Sequence, residues 1–293
     1  MAHKSGFINI IGNPNVGKST LMNVFMGEKL SIVTSKAQTT RHRILGIVNT
    51  DDYQIVFSDT PGILKPHYKM QVAMMGVVRT AIEDADMLLY VTDVVETIDK
   101  NEEYINKVNK SEVPLLLVIN KIDLCKEDEL PNIIATWKEL MPRAEIIPVS
   151  ALKKFNVDTV FNRILEVLPE GPAYYEKDAL TDRSERFFVS EIIREKIFYN
   201  YKQEIPYSVE VLVELFKEEE GIIRIKSVIV VTRESQKGII IGKGGLALKK
   251  TGTQARIDME KFFGKKVFLE IFVKVEKDWR DSDRMLRQFG YNN

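Results

Sequence analysis

Residues 12–19, Gly-Asn-Pro-Asn-Val-Gly-Lys-Ser, follow the largely apolar run Ile8-Asn9-Ile10-Ile11 and lead into Leu21-Met22-Asn23-Val24-Phe25, whose apolar residues recur at helical spacing. A Gly-x-x-x-x-Gly-Lys-Ser stretch between a strand and a helix constrains the chain more than any other feature. The glycines permit a tight turn whose backbone N–H groups face an anion at a helix N-terminus. The pattern assigns Gly12, Asn13, Asn15, Val16 and Gly17 to a phosphate cradle and Lys18 to the β- and γ-phosphates of a nucleoside triphosphate. It gives the Ser19 hydroxyl to Mg²⁺ and places Thr20 in the first turn of the helix.

The rest of the first part fits that reading. The runs 7–12, 43–50, 53–60, 85–94, 114–123 and 144–151 are β-rich, and 19–27, 68–85, 101–111 and 130–141 carry helical periodicity between them. Met87-Leu88-Leu89-Tyr90-Val91 and Leu115-Leu116-Leu117-Val118-Ile119 are continuously apolar, as strands covered by helices on both faces must be. The fold class expected is therefore α/β, a mostly parallel sheet with helices on both faces, over residues 1–172. Residues 173–186, in a stretch rich in Pro, Gly and charge, read as a linker. Residues 187–293 change order to helix, two strands, helix-loop-helix and strand, an α+β pattern with an antiparallel hairpin turned at 217–221.

Charge separates the two parts. The chain has a formal net charge of zero, but residues 1–172 carry 19 Lys/Arg against 22 Asp/Glu, whereas residues 237–266 hold eight basic and two acidic side chains. That basic segment is the one suited to a polyanion. No apolar run approaches the roughly 20 residues of a membrane span. The N-terminus enters the first strand without room for a signal peptide, and Cys125 has no second cysteine to pair with. These features predict a bacterial, cytoplasmic protein, with Cys125 a small residue just after a strand.

The base is read elsewhere. Asn120-Lys121-Ile122-Asp123 follows the buried strand, and a carboxylate there accepts two hydrogen bonds from guanine N1–H and the exocyclic amine, a donor pair that adenine lacks on that edge. Buried polar groups left unpaired by the wrong base cost on the order of 1–3 kcal/mol each. Asp59-Thr60-Pro61-Gly62 places Asp59 to hold Mg²⁺ through water and Gly62 to offer its N–H to the γ-phosphate. Ser150-Ala151-Leu152 ends the last strand and is expected to touch the base through backbone groups. Between loop and carboxylate lies 36–43, a polar stretch whose Thr40, rather than Thr39, is expected to complete the Mg²⁺ shell when triphosphate is bound and to be released on hydrolysis.

In this order and spacing, the motifs resemble the five nucleotide-binding motifs of translation-factor-class GTPases. The resemblance implies slow GTP hydrolysis to GDP and phosphate, coupled to a conformational switch, with Lys18, Thr40 and Asn15 as catalytic groups. Where many such GTPases place a Gln after the Asp-x-x-Gly motif, this sequence has Ile63, so the resemblance names no catalytic Gln. Asn15 matches the asparagine that helps potassium-stimulated relatives bind K⁺ beside the phosphates; the alternative is an ordinary turn residue in Asn13-Pro14-Asn15.

In the second part, Gly242-Lys243-Gly244-Gly245 fails the spacing of a dinucleotide fingerprint and lacks its βαβ unit. As a Gly-x-x-Gly loop joining two helices it fits well, because missing side chains let a nucleic-acid backbone approach. Lys243, Lys249 and Lys250 stand beside it, with Arg256 and Lys261 further along. Element order and loop resemble a type II KH domain, and the two parts together resemble the TrmE-Era-EngA-like GTPases that assist ribosome assembly. That resemblance implies binding to 16S ribosomal RNA near its 3′ end and to the 30S subunit, as a monomer. It leaves room for peripheral contact with the inner face of the membrane, although no amphipathic anchor stands out. Trp279 and Tyr291 are expected to pack against the domain, with stacking on bases as the alternative. Two other readings are a P-loop ATPase or kinase with an RNA-binding domain, and an RNA scaffold with a vestigial nucleotide site.

Overall fold

The computed structural model describes residues 2–96 and 101–291. The chain divides into two compact units, one of residues 1–67 and 71–182, the other of residues 68–70 and 183–293.

In the first unit β1 (Lys4–Ile11), β2 (Ile44–Asn49), β3 (Tyr53–Asp59), β4 (Met87–Asp93), β5 (Leu115–Asn120) and β6 (Glu145–Pro148) form a six-stranded sheet in the order β2-β3-β1-β4-β5-β6. Every pairing is parallel except that of β2 with β3. All residues of β4 and β5 are buried, which is why they read as unbroken apolar runs rather than alternating ones. The helices are α1 (Lys18–Met26), α2 (Lys69–Glu83), α3 (Glu102–Lys110), α4 (Leu130–Leu140) and α5 (Val157–Val167). The sequence reading had no helix at α5. Its buried Val157, Val160 and Ile164 lie three and four residues apart, the helical signal that places it on the core.

The first ten residues of the stretch read as a linker are held by the first unit. Edge strand β2 exposes N–H groups that need partners. The Ile47 N–H donates to Leu180 O at 2.9 Å, the Leu45 N–H to Asp182 Oδ1 at 3.3 Å, and the Asn49 amide to Ala179 O at 3.0 Å. Gln54, wholly buried in β3, accepts from the Tyr174 and Tyr175 N–H groups at 2.6 and 3.0 Å and donates to Tyr175 O at 2.9 Å. Tyr175 and Ala179 pack on Leu45, Ile47 and Val56 beneath this strap.

The second unit has α6 (Glu185–Asn200), β7 (Glu210–Glu219), β8 (Ile222–Val231), α7 (Glu234–Ile241), α8 (Leu246–Phe263), β9 (Lys266–Val275) and α9 (Asp283–Gln288). β7 and β8 form the expected antiparallel hairpin, turned at Gly221 with φ 77°, and β9 pairs parallel to β8. One core gathers Val189, Ile193 and Ile197 of α6, Ile225 and Ile229 of β8, Ile240 of α7 and Ala255 and Met259 of α8. Tyr201 locks the two helices that flank the glycine loop, donating its hydroxyl to Ile240 O at 2.8 Å and accepting from the Thr251 hydroxyl at 3.2 Å. Trp279 is fully buried with its indole N–H on Ser208 O at 3.2 Å. Tyr291 is buried with its hydroxyl on Glu210 Oε2 at 2.6 Å. Both aromatics therefore serve packing, and neither offers a ring face to a base.

Candidate nucleotide site and nucleic-acid interface

The phosphate loop, Asp59, Asp93, Asn120 and Ser150 all lie at or just beyond the carboxyl ends of parallel strands, the end where open α/β sheets bind ligands. A cavity of about 450 Å³ opens there, lined by Asn15, Gly17, Lys18, Ser19, Thr20, Thr40, Gly62, Asn120, Lys121, Asp123, Ala151 and Leu152 among others. That is within the usual size range of small-molecule sites. Gly12, Asn13, Val16, Asp59 and Ser150 stand behind the lining and support it.

The loop's shape depends on its glycines. Gly12 has φ 144° and Gly17 φ 98°, and a Cβ would lie 2.0 Å from Val91 O at the first and 2.2 Å from Asn120 Nδ2 at the second. The Asn120 amide donates to Val16 O at 2.8 Å, and its Oδ1 accepts from the Ala151 N–H at 2.9 Å, tying three motifs together. The Lys121 ammonium donates to Asn15 O at 2.6 Å and pairs with Asp93 at 2.5 Å. Asp93 was absent from the expected site residues; its signal was a carboxylate closing a strand that runs apolar from Met87 to Val91, and in the fold only 6% of its side chain is exposed.

Lys18 is buried, and its ammonium donates to Gly12 O at 3.0 Å and Asn13 O at 2.8 Å. Burial pushes its pKa down to about 8, against the opposing pull of Asp59 and Glu96. Burial also raises Asp59, although the Ser19 hydroxyl and Lys18 work the other way. Ser19, Thr40 and Asp59 meet: Ser19 Oγ donates to Asp59 Oδ2 at 2.7 Å, Thr40 Oγ1 donates to the same oxygen at 3.2 Å, and the two hydroxyls are 3.0 Å apart. Asp59 Oδ1 is buried with no hydrogen-bond partner. An orphaned carboxylate oxygen beside two hydroxyls fits a hard divalent cation with oxygen ligands.

At the base end, Asp123 Oδ1 accepts from the Ser150 hydroxyl at 2.5 Å. The Ser150 side chain thus orients the carboxylate, a role in addition to the backbone contact with the base expected of residues 150–152. Leu124 and Leu152, 66% and 74% exposed, add apolar surface at the mouth. Ile63 is buried and turned into the core. Asn15 has φ 65°, and its amide donates to Ser35 O at 3.1 Å. Cys125 caps the short turn Ile122–Leu124 and carries no disulfide.

In the second unit, Gly242, Gly244 and Gly245 have φ of 71°, 59° and 77°, the left-handed region that favours glycine. A Cβ at Gly242 would lie 2.6 Å from the Ala247 Cβ, whereas Gly244 and Gly245 face open space. Lys243, Lys249 and Lys250 are exposed beside the loop. A groove of about 360 Å³ runs from Gly245 along α8 to β9, lined by Leu248, Lys249, Gly252, Thr253, Arg256, Leu269 and Ile271. Gly252 is a further residue of the groove that the sequence did not single out; a Cβ there would touch the Ile271 Cδ1 at 3.4 Å and occupy part of the groove. Lys250 does not line the groove, and Arg256 is engaged with Glu260 at 2.9 Å.

Comparison with known proteins agrees with this division. Residues 7–121 match the family model described as 50S ribosome-binding GTPase, and residues 204–280 match that of the KH domain. The chain is 47% identical to GTPase Era of Clostridium kluyveri over 290 residues, 98% of this chain and 99% of that protein. A crystal structure of an Aquifex aeolicus Era variant bound to GDP and aluminium fluoride superposes with a TM-score of 0.94 at 39% identity, covering 99% of this chain and all of that one. A crystal structure of Era with MgGDPNP and nucleotides 1506–1542 of 16S ribosomal RNA gives 0.95 at 39% identity, with the same coverage. Among the described residues, no helix is long and apolar enough to cross a membrane.

Proposed function

The chain belongs to the Era family of GTPases, and on that premise we propose that it binds and hydrolyses GTP in its first unit and binds 16S ribosomal RNA near the 3′ end through its second, assisting maturation of the 30S subunit. The observation that carries the guanine reading is Asp123, held by Ser150 at the mouth of the phosphate-loop cavity. Its carboxylate matches the two N–H donors of guanine.

The residues divide the work. Lys18, drawn by its neighbours into a dry site, becomes fully charged when phosphates arrive and neutralises the β- and γ-oxygens. Ser19, Thr40 and Asp59 would hold Mg²⁺, which when bound offsets the charge building between those phosphates. Gly62 offers its N–H to the γ-phosphate. Once that phosphate leaves, Thr40 loses its reason to stay, and the segment carrying it relaxes. Ile63 supplies no polar atom to the attacking water, so the unassisted reaction is slow. Asn15, whose amide N–H donates to Ser35 O at 3.1 Å, would hold K⁺ next to the phosphates through its amide oxygen.

RNA would enter along the groove of α8 and β9, with its backbone against Gly242, Gly244 and Gly245 and its phosphates near Lys243, Lys249 and Lys250. We place the protein in the cytoplasm as a monomer that visits the 30S subunit, with any membrane contact peripheral. Titration with GTP, GDP and ATP, followed by phosphate release in Mg²⁺ with Na⁺ or K⁺ and with or without a 16S 3′ fragment, tests these assignments together. Equal displacement by ATP overturns the guanine reading, and no phosphate release under any condition overturns the enzyme.

A further inference from the structure

We propose that Arg43 is a positioning residue for the triphosphate state: it pins the chain just beyond Thr40 to the sheet, so that the Thr40 hydroxyl is delivered to Ser19 and Asp59. The proposal rests on the reading of Thr40 as a Mg²⁺ ligand.

Arg43 precedes the first residue of β2 and reaches β1, β3 and the bend after α2 at once. Its Nε donates to Ser58 Oγ at 2.7 Å and its Nη2 to Asn9 Oδ1 at 3.1 Å and Asp84 Oδ1 at 3.0 Å, while Nη1 closes the fork on Asp84 Oδ2. The receiving groups are themselves fixed. Asn9, wholly buried in β1, donates to Ala81 O at 2.6 Å and Asp84 Oδ1 at 2.7 Å. Ser58 is the residue before Asp59, and Ile44, next after Arg43, pairs with Asp59 in the sheet. The fork therefore ties the far end of the Thr40 segment to the strand that carries the metal-binding carboxylate.

Three residues span at most about 10 Å of chain, so an anchored Arg43 confines Thr40 to a small volume around its observed place. Without the anchor, ordering each of those residues must be opposed by backbone entropy at the moment the triphosphate binds. GDP makes no demand on Thr40 and should not feel the loss. A planar guanidinium serves four acceptor atoms on three residues in one geometry, which a lysine ammonium cannot reproduce.

The test uses the full chain and equilibrium titration with GDP and with Mg-GDPNP. The variants are Thr40→Ala, Arg43→Ala, Arg43→Lys and, should the arginine variants fold poorly, Asp84→Asn. The expected result is a loss of GDPNP affinity on the order of tenfold in Arg43→Ala, close to that of Thr40→Ala, with partial retention in Arg43→Lys and GDP affinity held within about twofold. Hydrogen exchange at residues 40–44 should slow on GDPNP binding in the wild type and not in Arg43→Ala. If Thr40→Ala separates the two nucleotides but the Arg43 and Asp84 variants do not, the anchor is overturned and the Thr40 reading stands. An equal fall in GDP and GDPNP affinity, tracking a lower Tm, assigns the fork to folding alone and also overturns it. If Thr40→Ala fails to separate GDP from GDPNP, the metal-ligand reading falls and takes the proposal with it.

Discussion

The Ser150 hydroxyl donates to Asp123 Oδ1 at 2.5 Å, joining the loop after β6 to the turn after β5 and leaving the carboxylate's remaining capacity for a ligand. Asp123→Asn puts an amide donor where an acceptor stood. Guanine nucleotides then meet donor against donor, while xanthine nucleotides, with a carbonyl in place of the amine, are accommodated. GTP affinity should fall about a hundredfold or more and XTP affinity should rise. Ser150→Ala should cost about 1 kcal/mol, roughly fivefold in GTP affinity, without changing the preference. Competition titrations with GTP, XTP and ATP read all three.

Lys18 gives the nucleotide site a pH dependence. Its pKa is lowered from 10.5 to about 8 by burial. Between those values the unfolded chain binds the proton that the empty folded site gives up, so the Lys18 contribution makes stability rise with pH through the window and weigh against folding below it. Phosphate favours the charged amine, so binding takes up a proton above pH 8 and GTP affinity should decline as pH rises through about 8. Calorimetry in buffers of different ionisation enthalpy detects that proton. In Lys18→Ala nucleotide binding should be lost while RNA affinity remains.

The glycine loop separates two kinds of damage. Gly244 faces open space with φ 59°, a conformation Asp tolerates, so Gly244→Asp should fold and weaken RNA binding about tenfold or more by like-charge repulsion, with nucleotide affinity unchanged. Gly242→Val meets the Ala247 Cβ at 2.6 Å with φ 71° and should lower stability by about 1–3 kcal/mol. Filter binding with a 16S 3′ oligonucleotide and thermal unfolding distinguish the two; an unchanged Kd for Gly244→Asp argues against RNA contact at the loop.

Gln54→Ala removes the acceptor of the Tyr174 and Tyr175 N–H groups and the donor to Tyr175 O. With the strap loosened, stability should fall by about 2–4 kcal/mol, and residues 173–182 should become open to proteolysis before the rest of the unit unfolds. Chemical denaturation and limited proteolysis measure both effects.

Much of this protein was legible in one dimension because its chemistry is local. Gly12 to Ser19 form a loop whose members are neighbours in sequence, and the glycine loop at 242–245 is similarly self-contained. The unbroken apolar runs of β4 and β5 announced a sheet covered on both faces. Pairing that spans the chain was not legible. Asp93 meets Lys121, Ser150 meets Asp123, and Arg43 meets Asp84, each joined only after strands separated in sequence lie side by side. The segment 173–182 looked like a linker because it follows Pro169, Gly171 and Pro172 and is rich in charge, and that pattern does not show which edge strand needs the carbonyls of Ala179 and Leu180; the buried Gln54 in a largely apolar strand was a sign that something polar must cover it. Sequence determined which groups could touch phosphate, guanine and RNA. Tertiary structure decided which are held still enough to do so, because a hydrogen bond between distant residues exists only once the entropy of bringing them together has been overcome by the buried core.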